Sequence, residues 1–194
     1  MVRSALVNAP ARDARRMTYA EYLALESASE RKHEYVHGWV YAMAGGTPEH
    51  ARLQGRLIQQ LGAALRGRPC EAFTSDLRVR IAATGRATHP DVTVLCDRIE
   101  HATDDPDAAT NPTLIVEVLS ASTEADDRGS KWAHYQRIDA LRHYVLVSPD
   151  ERRVEVFTRE ATGWHYEDHR GASAPLSALG VSLDLEELYA RALA

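Results

Sequence analysis

Apolar residues return along this chain with two different periods. Leu53, Leu57, Ile58, Leu61 and Leu65 repeat at helical spacing, with Thr47 placed to cap that helix and Pro48 to open it. Leu77, Val79 and Ile81 alternate instead with Arg78 and Arg80, which predicts a half-buried strand with a basic outer face. Thr18 and Glu21 form a T-x-x-E capping box ahead of Tyr22, Leu23 and Leu25, the mark of a short helix. The segment HEYVHGWVYAMAGG reads as a hairpin turning at Gly38 and stopping at Gly45 and Gly46.

DVTVLC, after Pro90, is a further strand, and a loop rich in Asp, Pro, Ala and Thr from Asp97 to Pro112 leads into TLIVEVL. That run is almost wholly apolar, as a central strand covered on both faces should be. Ser122 to Ala140 is predicted as a helix, and HYVLVS, RRVEVFTR and GWHYED as strands with turns around Pro149 and Gly163. Asp184 and Glu187 cap a closing helix. Residues 1–16 show neither period and read as a flexible tail, leaving residues 17–194 as one domain. The element order predicts an α/β fold, in the α+β sense of a mixed sheet flanked by helices.

Composition narrows the class. A hydrophobic share of 44% with 26% charged residues fits a folded globular chain and excludes a disordered or fibrous one. No apolar run approaches a bilayer span and the opening residues hold no apolar signal core, so the expected location is cytoplasmic. Cys70 and Cys96 form no CxxC pair and are read as buried free thiols in a reducing compartment. A net charge of −5 argues against a protein coated in nucleic acid. A groove lined locally by Arg52, Arg56, Arg66, Arg68, Arg78 and Arg80 stays open, as does a solvated surface for each of them.

Three residues carry candidate chemistry. Glu117 sits inside the apolar strand, where an ionised carboxylate needs a cation, a hydrogen-bond network or a raised pKa. Asp91, after Pro90, could be an ordinary turn residue; a second carboxylate 26 positions later makes the two a pair able to hold Mg²⁺, which takes oxygen ligands and keeps several waters. Lys131 shares a helical face with Trp132, Tyr135 and Ile138. It is either part of this site or a surface partner of Asp127 at i,i+4 spacing.

The blocks MTYAEYLAL, HEYVHGWVYAMAGGTPEH, HPDVTVLCD, PTLIVEVLSAST, DRGSKWAHYQ and HYVLVSP resemble the Uma-two family of restriction-endonuclease-like proteins, from about Met17 to about Phe157. The resemblance implies the PD-(D/E)XK nuclease fold, restriction-endonuclease-like. Asp91 then matches the Pro-Asp carboxylate, Glu117 the second carboxylate, and Glu34 an acidic position before the glycine turn. The standard lysine, two residues after the second acid, is replaced here by Leu119, and Lys131 from the following helix takes its role. The resemblance implies an endonuclease in which Asp91, Glu117 and the Val118 carbonyl hold Mg²⁺ or Mn²⁺. Glu34 adds a ligand or orients a water, and Lys131 stabilises charge on phosphate. The implied partner is nucleic acid, DNA in the first instance, with no membrane; a homodimer enters only by analogy with other phosphodiester enzymes.

Two other readings compete. HEYVH, at His33 to His37, formally matches the HExxH zinc-protease signature. Its β-formers favour a strand, in which an i,i+4 pair stands roughly 13 Å apart and cannot share one ion. A nuclease-like module that binds nucleic acid or protein without cutting is the other. His50 could approach a phosphate after the glycines or sit as a surface histidine at a helix start.

Overall fold

Thr18 opens the first helix: its hydroxyl accepts the Glu21 N–H while the Glu21 carboxylate reaches back to the Thr18 N–H, so the capping box closes as expected. The computed structural model describes residues 16–190; apart from Arg16, the tail expected over residues 1–16 lies outside them. In chain order the elements are α1 (Tyr19–Ala28), β1 (His33–Val36), β2 (Trp39–Ala42), α2 (Pro48–Ala64), β3 (Cys70–Thr74), β4 (Arg78–Ile81), β5 (Arg86–Thr88) and β6 (Val92–Cys96). The chain continues through β7 (His101–Ala102), β8 (Asp105–Ala109), β9 (Leu114–Val118), α3 (Glu124–Asp126), a π-helical turn (Asp127–Lys131) and α4 (Trp132–Tyr135). It ends with β10 (His143–Val147), β11 (Val154–Glu160), β12 (Gly163–His169), β13 (Ser173–Leu176), β14 (Val181–Asp184) and α5 (Leu185–Tyr189).

These strands build two mixed sheets where the pattern suggested one. The first runs β2-β1-β5-β4-β8-β7 and the second β12-β11-β10-β9-β6-β3; β13 and β14 pair by themselves. β9 is central in the second sheet, parallel to β10 and antiparallel to β6. One of its faces, Leu114, Val116 and Val118, packs on Leu53, Leu57 and Leu61 of α2. The other, Ile115 and then Leu119, meets Val79, Ile81, Tyr135 and Tyr144. Cover on both faces is why this strand lacks alternation. The β1–β2 hairpin turns through His37 and Gly38 with φ of 50° and 90°, the positive values that a tight two-residue hairpin requires.

Four expectations are corrected. The outer face of β4 is not open to solvent: Arg80 is buried and lies over the Tyr19 ring at 3.8 Å, and Arg78 forms a two-pronged bond with Asp105, its Nε at 2.6 Å. Asp105 belongs to β8, a strand inside the segment read as loop; its sequence DPDAA has little intrinsic strand preference and is held in the sheet by its neighbours. The helix expected from Ser122 to Ala140 is only a short, mixed segment, because its middle winds as a π turn that keeps Asp127 and Lys131 buried together. Cys70 and Cys96 are not free thiols but a disulfide. They are direct partners on antiparallel strands β3 and β6, a juxtaposition that pairing creates and sequence spacing does not show. The reducing-compartment reading of the cysteines falls with it. Among the described residues no helix is long and apolar enough to cross a membrane.

Candidate active site

Strand pairing sets the two carboxylates face to face. Val92 of β6 pairs with Val116 of β9, so the next rung in the antiparallel ladder brings Asp91 opposite Glu117. Glu117 is 2% exposed. Its Oε1 accepts from the Tyr135 hydroxyl at 2.7 Å and lies 3.0 Å from Lys131 Nζ. Burial, reinforced by the charges of Asp127 and Asp91 and opposed by Lys131, pushes the Glu117 carboxyl up to about 8. Asp91 Oδ1 accepts from Gln54 Nε2 at 2.5 Å, and Oδ2 accepts from the Val118 N–H at 2.7 Å and stands 3.2 Å from His50 Nε2.

Lys131 is buried among three carboxylates: Asp127 at 2.9 Å, Glu117 at 3.0 Å and Glu34 at 3.4 Å. Burial works against its charge, but Glu117, Glu34 and Asp127 outweigh that and hold the ammonium well above its ordinary range. Glu34 comes from β1 and is itself clamped, by Arg86 Nη2 at 2.8 Å and by the Thr88 hydroxyl. Burial raises its pKa, and the stronger combined pull of Lys131, Arg86 and Thr88 brings it to about 2. Arg86, 1% exposed, also bonds Asp126 and Ser130. The four residues singled out from the sequence therefore meet in one place: Asp91 and Glu117 opposite each other across neighbouring strands, and Lys131 joining Glu117 to Glu34.

Leu119 is buried in apolar packing, so no charge enters from that position. Burial holds the Glu117 carboxyl largely protonated at neutral pH, and a cation bound beside it would favour its ionised form. Among the described residues no three His, Cys, Asp or Glu side chains are grouped to hold a metal. What the site offers is two carboxylates and the main-chain carbonyl of Val118, oxygen donors that fit an ion keeping several waters. The zinc-protease geometry is not there: His33 and Glu34 lie on a strand, His37 is in the turn, and His33 bonds Glu26 at 2.6 Å.

The arginines read as a groove lining are mostly structural ties. Arg52 bonds Glu49 and the Leu188 and Ala190 carbonyls, Arg56 the Glu187 carbonyl, and Arg68 the Leu179 and Gly180 carbonyls, which fastens α2 to the C-terminal elements. His50 turns inward onto Asp91 and is not a surface histidine. A cleft of about 590 Å³ opens on Asp91 and Gln54, lined also by Arg31, Lys32, Gly45, Gly46 and Ser75.

A family sequence model described as "Putative restriction endonuclease", Uma2, matches residues 19–190. This chain belongs to the Uma2 family. Two Synechocystis proteins described as uncharacterized are similar to it. One, slr1290, is 34% identical over 186 residues, covering 95% of this chain and 97% of its own; the other, sll1609, is 34% identical over 143 residues, covering 74% and 81%. A crystal structure from Anabaena variabilis, described as "a putative nuclease belonging to DUF820", matches with a TM-score of 0.68 at 19% identity over 83% of this chain and 91% of that one. At that identity the likeness speaks for the fold, which is restriction-endonuclease-like.

In this Uma2 chain Arg86, Tyr135 and Gln54 join the site without having been expected there, and of the two readings of Lys131 both hold in part: it belongs to the site and pairs with Asp127, but that pair is buried. Tyr135 had a signal, its shared helical face with Lys131. Asp127 was paired correctly with Lys131, but nothing in the i,i+4 spacing tells a buried pair from an exposed one. Arg86 and Gln54 act across contacts 52 and 37 residues long, which no local pattern encodes.

Proposed function

We propose that this chain hydrolyses phosphodiester bonds in nucleic acid, DNA in the first instance, with Mg²⁺ or Mn²⁺ held by Asp91, Glu117 and the Val118 carbonyl. The observation that carries this reading is the placement of Asp91 opposite Glu117 across neighbouring strands with Lys131 Nζ 3.0 Å from Glu117. The cation would supply Lewis acidity and an acidified water.

The chain's own groups then divide the work. Gln54 and the Val118 N–H hold Asp91 in one orientation through opposite oxygens. Tyr135 and Lys131 both engage Glu117 Oε1 and so orient Oε2 for a ligand. Lys131, kept charged by its carboxylates, is placed to stabilise negative charge growing on phosphate. Glu34 already faces two cations, Lys131 at one oxygen and Arg86 at the other, so we assign it to holding Lys131 and not to the ion. The cleft bearing Arg31 and Lys32 gives the substrate backbone a route to Asp91.

The test mixes the protein with supercoiled plasmid, linear duplex, single-stranded DNA and RNA, with Mg²⁺, Mn²⁺ or chelator. Cleavage of DNA by wild type that is lost with chelator and in Asp91→Ala and Glu117→Ala supports the proposal. Absence of cleavage by wild type, or equal cleavage by the variants, overturns it; binding without cleavage would return the chain to a binding module.

A further inference from the structure

His50 stands where the first turn of α2, the glycine loop before it and the carboxylate site meet. Thr47 caps α2 by accepting the His50 N–H at 3.2 Å, which fixes the start of the helix. From there His50 Nε2 reaches to 3.2 Å from Asp91 Oδ2, the oxygen that also accepts from the Val118 N–H. Gln54, four residues on and so on the same helical face, holds the other oxygen of Asp91. The far side of the ring is backed by Gly46, where a Cβ would stand 2.9 Å from Nδ1. Only a residue without a side chain lets the loop lie against the imidazole in this position.

Asp91, a carboxylate that a divalent ion would use, is thus held by two side chains from one face of α2, His50 at Oδ2 and Gln54 at Oδ1. We propose that His50 is a positioning residue for the ion: it fixes the Asp91 carboxylate in the orientation an ion requires, and Gly46 keeps the ring seated. This rests on the assignment of Asp91 made above. The role asks for a hydrogen-bond donor and not for a nitrogen ligand, and partners of this outer kind typically change metal affinity by about 10–100-fold.

The experiment titrates Mn²⁺ alone into the whole protein by calorimetry, with thermal melts run beside it. Wild type should bind Mn²⁺ and Asp91→Asn should lose it; if wild type binds none, or Asp91→Asn binds equally well, the underlying site assignment fails and the role of His50 fails with it. Where that assignment holds, His50→Ala should bind about 10–100-fold more weakly, and His50→Gln, which keeps a donor, should recover most of the loss. Gly46→Ala, which touches no donor atom, should weaken binding in the same direction by displacing the ring. Affinity in His50→Ala equal to or tighter than wild type overturns the proposal, as does a His50→Gln no better than His50→Ala. Should His50→Ala not fold, His50→Gln and Gly46→Ala decide: near wild-type binding in the first with weakened binding in the second supports the role, and unchanged binding in Gly46→Ala overturns it.

Discussion

His143 shows how burial dictates a protonation state. Its Nε2 accepts from the Ala178 N–H at 3.0 Å, so the proton sits on Nδ1, facing the Thr158 hydroxyl at 3.1 Å. Burial alone pulls its pKa down to about 4 from the ordinary 6.5. Between those two values the unfolded chain binds the extra proton and the folded one does not, so stability falls as pH drops through that window and is unaffected above it. The loss should approach about 3 kcal/mol by pH 4, and His143→Asn should flatten that part of the curve in urea unfolding measured from pH 8 to 4. An unaltered slope in the variant would mean that other groups set it. At this scale the sequence was legible where a charge broke an apolar run, as Glu117 does, and illegible where a buried charge was answered from another strand, as Arg86 answers Glu34.

Among the elements, α2 carries the most weight for the site, because one face packs beneath β6 and β9 while His50 and Gln54 hold Asp91. Leu57 is fully buried in that contact. Leu57→Ala should therefore destabilise the protein by about 2–5 kcal/mol, read as a lower denaturation midpoint with an unchanged slope. A change below about 1 kcal/mol would show that the helix is not bound to the sheet as described. The helix was readable because its apolar period is local, and so were the β1–β2 hairpin and β9. β8 and the π turn were not: DPDAA becomes a strand only beside Arg78, and the winding at Asp127–Lys131 follows the buried charges it delivers.

For the molecule as a whole, the net charge of −5 places a premium on where positive groups remain available to a substrate. Most of the arginines expected to line a groove are spent on carbonyls and carboxylates; Arg31 lies instead on the cleft that leads to Asp91. If it meets one phosphate there, Arg31→Ala should weaken duplex binding and reduce the salt slope by about 1, measured by fluorescence anisotropy across salt concentrations. An unchanged slope would remove Arg31 from the path of the substrate. The two-sheet arrangement was beyond the reach of the pattern, since alternation tells a strand which face is buried and not which sheet it joins.

The disulfide between Cys70 and Cys96 has a topological consequence for this architecture. Joining positions 26 apart in sequence, it turns β3 through β6 into a covalent ring, and Asp91 lies within it. A single cut in one of the turns inside that ring would open the loop without dividing the molecule. Asp91 would remain attached to Glu117 by the one route left, through the main chain where the cut precedes Asp91 and through the disulfide where it follows.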